Sequence, residues 1–317
     1  MNAGAESRGG ARPRVPMTGG VSGATFLLGN ILCWAAVPVL LRYLTHSIDA
    51  WTANGFRYPM AAVLYWPILI VAWRSGRLNR RLIVRCLVPS FLAFGGQVLW
   101  ALAPYYLPAS AIGFFMRFAL VFTLAGAMLV FPDEKKLLSL SSFYVGLVPC
   151  VAGFFAMSVS KVQFDAEVTP VGIGIILLCS VFFGFYGVSI RYFLHGIHPL
   201  VGFGVVSNVV SIGTIAAMLM VGRYEDLAVV TDRDWMVLVG SSVLGIALGH
   251  YFLYSAVARL GAAISSAAQT LIPFLTALLA ARVLGESMSM LEWCAGITMV
   301  LGAAALLRAQ NRLVAKS

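Results

Sequence analysis

The sequence predicts an all-α polytopic membrane protein whose ten transmembrane helices form two inverted five-helix repeats. Three observations predict this. First, 60% of the residues are hydrophobic and only 11% are charged, with a mean hydropathy of +0.90, too few polar groups to coat a water-soluble domain of this size. Second, the apolar residues gather into ten runs of 18 or more separated by short polar breaks. Third, five runs fall in each half, and an odd number forces the second half to enter the membrane upside down relative to the first.

Residues 1–23 are rich in Gly, Arg, Pro and Ser and hold no apolar run, the composition of a disordered tail. The first repeat, 24–160, has runs at 24–44, 51–73, 82–104, 108–131 and 140–160. The second, 161–308, has runs at 168–190, 199–221, 235–257, 262–284 and 288–308, and a short tail follows at 309–317. Each run is long enough for a helix across roughly 30 Å of hydrocarbon, and none alternates as a barrel strand must. No small-residue cleavage signature follows the first run, which is therefore read as a retained helix. The links are too short to hide a soluble domain; the longest, GRYEDLAVVTDRD at 222–234, has room for a turn or a short helix.

The formal charge of +10 could point to nucleic acid, but its distribution assigns it to topology. With the N-terminus inside, 15 of the 22 Lys and Arg fall on the inner side, including Arg74, Arg77, Arg80, Arg81 and Arg85 in one loop. Five fall outside, and Arg57 and Arg117 lie within spans. This positive-inside bias predicts an inner-membrane protein with both termini cytoplasmic and no nucleic-acid partner. The five cysteines sit far apart in apolar runs and read as small buried hydrophobes.

Sliding the chain by 149 residues sets Arg42 and Tyr43 on Arg191 and Tyr192; a shift of 153 sets Gln97 on His250, Asp133 on Glu286 and Arg117 on Thr270. RLGAAISSAAQTLIPFLTALLAARVLGESMSMLEWCAGITMVLG, residues 259–302, holds Pro273, Leu284, Gly285, Glu286 and Gly296. In these positions it resembles the EamA branch of the drug/metabolite transporter superfamily. ANGFRYPMAAVLYWPILI, 53–70, is similar to that family's second helix, including an arginine at the place of Arg57. The first half departs from the pattern, with Leu120 in place of the proline and FPDEKK in place of Leu-Gly-Glu. The resemblance implies ten helices around a central substrate cavity and a secondary transporter, and it leaves the substrate unnamed.

An arginine near a helix centre costs about 2.5–3.5 kcal/mol on insertion scales, so Arg57 and Arg117 are expected to face protein or water. They lie about 9 and 13 Å from the outer end of their helices at 1.5 Å per residue. Arg57 reads as a structural residue, bonded to helix-end carbonyls or to Glu292, or as a source of positive potential. Arg117 reads as a substrate-facing cation, or as a structural or snorkelling residue. Helical spacing places Asn30, Trp34 and Pro38 on one face, Gln97 and Trp100 on another, His250 and Tyr254 on a third, and Ser265, Gln269 and Pro273 on a fourth. Such stripes fit either a polar and aromatic cavity or helix-to-helix hydrogen bonds. The expected substrate-binding set is Arg117, Arg57, Trp34, Gln97, Trp100, His250, Tyr254 and Gln269, with His250 also open to a proton relay or a packing role. Thr270, the counterpart of Arg117, is expected to face the inner side.

His195 and His198 stand alone without Cys or carboxylate neighbours, so no metal is expected. Gly187–Ser189 with His250 lacks an oxyanion-hole signature, which argues against an enzyme. Without a phosphate-binding glycine loop no nucleotide cofactor is expected, and transport is secondary or facilitated. The expectation is a monomer or homodimer in the lipid bilayer that moves a small organic solute, an amino acid or carboxylate-bearing metabolite. The alternatives are a proton-coupled multidrug or cation exporter, which needs a mid-membrane carboxylate, and a non-transporting receptor or scaffold.

Overall fold

Local signals set the helix ends. Ser22 accepts the amide of Thr25 at 3.2 Å and opens α1, Gly23–Leu44; Asp49 accepts the amides of Trp51 and Thr52 and opens α2, Ala50–Val63. In the computed structural model, which describes residues 22–107, 112, 115–132, 140–162, 169–284 and 289–316, the chain forms helices and, among these residues, no strand. Asp133, Gly285 and Glu286 of the sequence comparison lie outside the described residues, as do residues 1–21 of the first tail.

After α2 the chain bends by 48° and resumes as α3, Trp66–Arg74. Pro67 lies in the first turn of α3, where its missing N–H and fixed φ start a helix but cannot continue one. The single run expected at 51–73 is thus two helices. α4 is Arg80–Leu102, α5 is Ala119–Val130 with a 3-10 turn, Met116–Phe118, at its start, and α6 is Ser141–Val162. α7, Pro170–Phe193, and α8, Pro199–Val221, each start with proline behind a capping residue. The cap of α8 is His198, whose Nδ1 accepts the amide of Leu200 at 3.3 Å. A 3-10 turn, Tyr224–Val229, occupies the longest link.

The next span is irregular at its middle. α9, Asp232–Ser241, passes through a π-helical segment, Ser242–Leu248, into α10, Gly249–Leu260. Gly261, at φ 87°, turns the chain in the left-handed region. α11, Ala262–Ala268, is then joined to α12, Ile272–Leu284, by the 3-10 turn Gln269–Leu271. α13, Met290–Lys316, runs on through the segment read as a terminal tail.

Among the described residues, six stretches are long and apolar enough to cross a membrane, and the bent pair α2–α3 makes a seventh when taken as one broken span. Met116–Val130, Ser141–Ala156 and Met290–Leu306 are shorter apolar helices. The surface is inverted relative to a soluble protein: Leu129 is 86% and Met220 83% exposed, with Phe91, Ile212 and Leu301 outside as well. Asn30, Asn54, Gln97 and His250 are buried. In water those outer faces would have to be covered; against lipid they cost nothing. The cysteines divide in the same way, with Cys86, Cys150 and Cys179 buried but Cys294 exposed, contrary to its expected burial.

Around the core, α1 packs on α10 and α12, α4 and α5 pack on α7, and α2 packs on α8, while α6 and α13 pair with each other. That pair is close because glycine lies at the contact: a Cβ on Gly302 would sit 2.7 Å from the carbonyl oxygen of Gly146, and one on Gly146 would sit 2.6 Å from the amide nitrogen of Leu306.

Candidate functional site

Two neighbouring cavities lie inside the bundle. The first, about 590 Å³ of empty space counting its open side, is walled by Trp34, Val37 and Pro38 of α1, Arg57 of α2, Gln97 and Trp100 of α4, Met116 and Arg117, Phe183 of α7, Gly245, and Ile272 and Thr276 of α12. The second, about 520 Å³, runs toward the Gly261 turn past Leu120, Thr123, Tyr186, Leu253, Val257, Ser265 and Gln269. Trp34, Met116, Arg117 and Phe183 line both, so the two cavities adjoin at this layer, the first reaching toward Arg57 and the second toward the Gly261 turn.

Arg117 lies in the 3-10 turn before α5 and reaches the 3-10 turn between α11 and α12. Its Nη1 donates to the backbone oxygen of Gln269 at 2.7 Å, a carbonyl outside a regular α-helical ladder. Its Nε is buried with no hydrogen-bond partner. Arg57 is held differently. Only 1% exposed, it donates Nε to the Ser241 hydroxyl at 2.9 Å, Nη1 to Asn54 Oδ1 at 3.1 Å and Nη2 to the Ser241 carbonyl at 3.4 Å. The backbone of α2 is pinned there too, since Ser242 donates to the Arg57 carbonyl at 2.6 Å. Glu292 does not serve Arg57; its carboxylate accepts the Ser289 amide at 2.7 Å, within the first turn of its own helix.

Asn54 ties the two sides of the first cavity together, donating to the Gln97 carbonyl at 2.9 Å while it accepts from Arg57. The side-chain Oε1 of Gln97 is buried and unpartnered. Trp34 donates Nε1 to the Gly245 carbonyl at 3.0 Å, and Trp100 completes the aromatic wall with Phe183.

Six of the eight expected residues therefore share the two cavities: Arg57, Gln97 and Trp100 in the first, Gln269 in the second, Trp34 and Arg117 in both. His250 and Tyr254 do not line them. His250 is fully buried behind Trp34, stacked on Phe203 with ring centroids 4.8 Å apart. Its Nδ1 faces the carbonyls of Gly245 and Ile246 at 3.2 Å, so Nδ1 carries the proton, and Nε2 has no partner. Tyr254 shares a 2.9 Å hydroxyl hydrogen bond with Tyr186. Thr270 also turns away from both cavities, its hydroxyl on the Ala267 carbonyl at 2.7 Å.

Met116 and Phe183 are lining residues that sequence reasoning missed. A signal existed, because the shift of 149 places Phe183 on Trp34. The same shifts relate further contacts. Asn30 donates to the Gly249 carbonyl at 2.9 Å and accepts from Gln269 Nε2 at 2.6 Å. Moved by 149 and 153, these positions become Cys179, Gly96 and Met116, and Cys179 Sγ meets the Gly96 carbonyl at 3.2 Å and Met116 Sδ at 3.9 Å. The 3-10 turns Met116–Phe118 and Gln269–Leu271 are also 153 residues apart.

The model of the EamA-like transporter family matches the chain twice, over residues 21–160 and 170–308. No curated protein matches it. Among solved structures, one titled only as the crystal structure of a protein aligns with a TM-score of 0.68 at 16% identity, covering 90% of this chain and 96% of that one. At that identity the likeness shows the fold.

Proposed function

The chain belongs to the EamA-like transporter family, and from that premise we propose that it carries a small organic solute bearing a carboxylate or another anionic group across the inner membrane by alternating access. The family is one of membrane transporters of small solutes; the substrate class and mechanism are this proposal. The observation that carries it is Arg117, which lines both cavities with a buried, unpartnered Nε. Among the described residues no carboxylate pairs with it. A guanidinium in this state is suited to take an oxyanion through two parallel hydrogen bonds.

Arg57 adds positive potential to the first cavity while Asn54 and Ser241 hold it in place. Trp34, Trp100 and Phe183 offer the apolar body of the solute an aromatic wall. Ten spans as two inverted five-helix repeats account for the two family matches and for the contacts that recur at shifts of 149 and 153. Two cavities that share one arginine fit alternating access. A cation exporter is disfavoured because both cavities are lined by arginine and, among the described residues, neither by a carboxylate. The family match favours a transporter over a receptor or scaffold.

The test is uptake by proteoliposomes of small organic acids with wild-type protein, Arg117→Gln and Arg117→Lys. Transport is lost in Arg117→Gln and partly retained in Arg117→Lys, which keeps the charge but not the planar fork. Normal transport by Arg117→Gln refutes the assignment.

A further inference from the structure

The first cavity holds a second unsatisfied group besides Arg117. Gln97 Oε1 is buried without a donor, and Asn54, bonded to the Gln97 carbonyl, fixes this turn of α4 against α2. The wall of the chamber thus carries one orphaned donor, Arg117 Nε, and one orphaned acceptor, Gln97 Oε1, on side chains that line it. Each remains costly until a ligand supplies its complement. A carboxylate answers the first, and an N–H or O–H answers the second.

The charge of that donor is decided by what surrounds it. Arg57 and Arg117 both line the chamber, and among the described residues no Asp or Glu does. An ammonium group beside the carboxylate of a zwitterion would be placed near two guanidiniums in a medium that screens poorly, and no anion of the wall would hold it. A neutral donor avoids that repulsion. Resting on the anion-carrier reading, we propose that the preferred substrate is a net-anionic acid with a neutral hydrogen-bond donor and an apolar or aromatic body. An N-acylated amino acid or a hydroxy acid fits this description, and a free zwitterionic amino acid does not. Trp34, Trp100 and Phe183 supply the surface for the body.

Four probes separate the parts, titrated calorimetrically into the full-length protein in detergent: N-acetylphenylalanine, 3-phenyllactate, 3-phenylpropionate and phenylalanine. The first two are expected to bind at least about tenfold more tightly than phenylalanine, with phenylpropionate, an anion without a donor, in between. Gln97→Leu is expected to bring N-acetylphenylalanine down to the level of phenylpropionate and to leave phenylpropionate unchanged. Gln97→Glu, nearly isosteric and so a safeguard if the leucine variant misfolds, is expected to turn the preference toward phenylalanine by supplying an anion for its ammonium. Phenylalanine binding as well as its acetylated form, or a preference that neither Gln97 variant moves, overturns this inference and leaves the anion-carrier reading standing. Failure of all four to bind folded wild-type protein overturns the anion-carrier reading itself.

Discussion

Arg57 and Arg117 are both arginines inside the membrane, and the structure predicts that they fail in opposite ways. Asn54→Ala takes from Arg57 its Nη1 acceptor at 3.1 Å and from the Gln97 carbonyl its donor at 2.9 Å. A hydrogen bond to a charged group contributes about 1.5–3 kcal/mol and a neutral one about 0.5–1.5 kcal/mol, so the loss is about 2–4 kcal/mol. Arg117→Gln removes one bond, to the Gln269 carbonyl at 2.7 Å, and also removes a buried Nε that has no partner. On the same scale that charge-assisted bond contributes about 1.5–3 kcal/mol, and the unsatisfied Nε removed with it costs about 1–3 kcal/mol, so the two offset and the net change is under about 2 kcal/mol. Equilibrium unfolding in mixed micelles measures both. For function the order reverses: losing one partner of a desolvated ion pair costs about 2–5 kcal/mol, or at least about 30-fold in affinity for the anion, in Arg117→Gln. If Arg117→Gln unfolds as readily as Asn54→Ala, or if Asn54→Ala is as stable as wild type, the division into a holding arginine and a binding arginine is wrong.

Three further outcomes are expected. With Cys33 and Cys294 replaced, a cysteine at position 100 is labelled by a membrane-impermeant thiol reagent and one at position 254 is not, because Trp100 lines the first cavity and Tyr254 lies behind the wall; labelling at both sites would place the cavity elsewhere. Gly302→Leu forces a side chain against the Gly146 carbonyl, where even a Cβ comes within 2.7 Å, and is expected to cost about 1–3 kcal/mol in unfolding as an overpacked contact; wild-type stability would mean that α6 and α13 separate freely. Periplasmic phosphatase fusions are expected to be active after residues 48 and 228 and silent after 78 and 312, and the reverse pattern would invert the topology drawn from the charge bias.

The helices were legible because a bilayer demands long apolar runs, and the caps at Asn79, Thr169 and Thr231 stand where the runs begin. Trp34, Gln97, Trp100 and Arg117 became candidates because polar and aromatic groups inside a span need a reason, and they stand in the cavity walls. His250 and Tyr254 became candidates by the same rule and lie behind the wall. Spacing of four places them on one face, but a helix buried on several sides has more than one polar face, and the sequence does not say which one meets the cavity. The π segment Ser242–Leu248 just before His250 adds to this, since each wider turn shifts the phase of all that follows. The 3-10 turn at Gln269 was hidden for the same reason: its value lies in a carbonyl, and carbonyls have no letter in the sequence.

The matching contacts of the two halves are built from unlike atoms. On one side Asn30 joins Gly249 and Gln269 by amide hydrogen bonds of 2.9 and 2.6 Å; on the other, Cys179 touches Gly96 and Met116 through sulfur at 3.2 and 3.9 Å. Sulfur is the weaker donor and acceptor, and methionine is the more adaptable neighbour. Two copies of one joint have thus been given different stiffness, like a double door with one leaf on a tight hinge. In a carrier that rocks between its two halves, as proposed above, the softer joint would yield first, and the thiol and the amide at this pair of positions would bias the side on which the empty carrier rests.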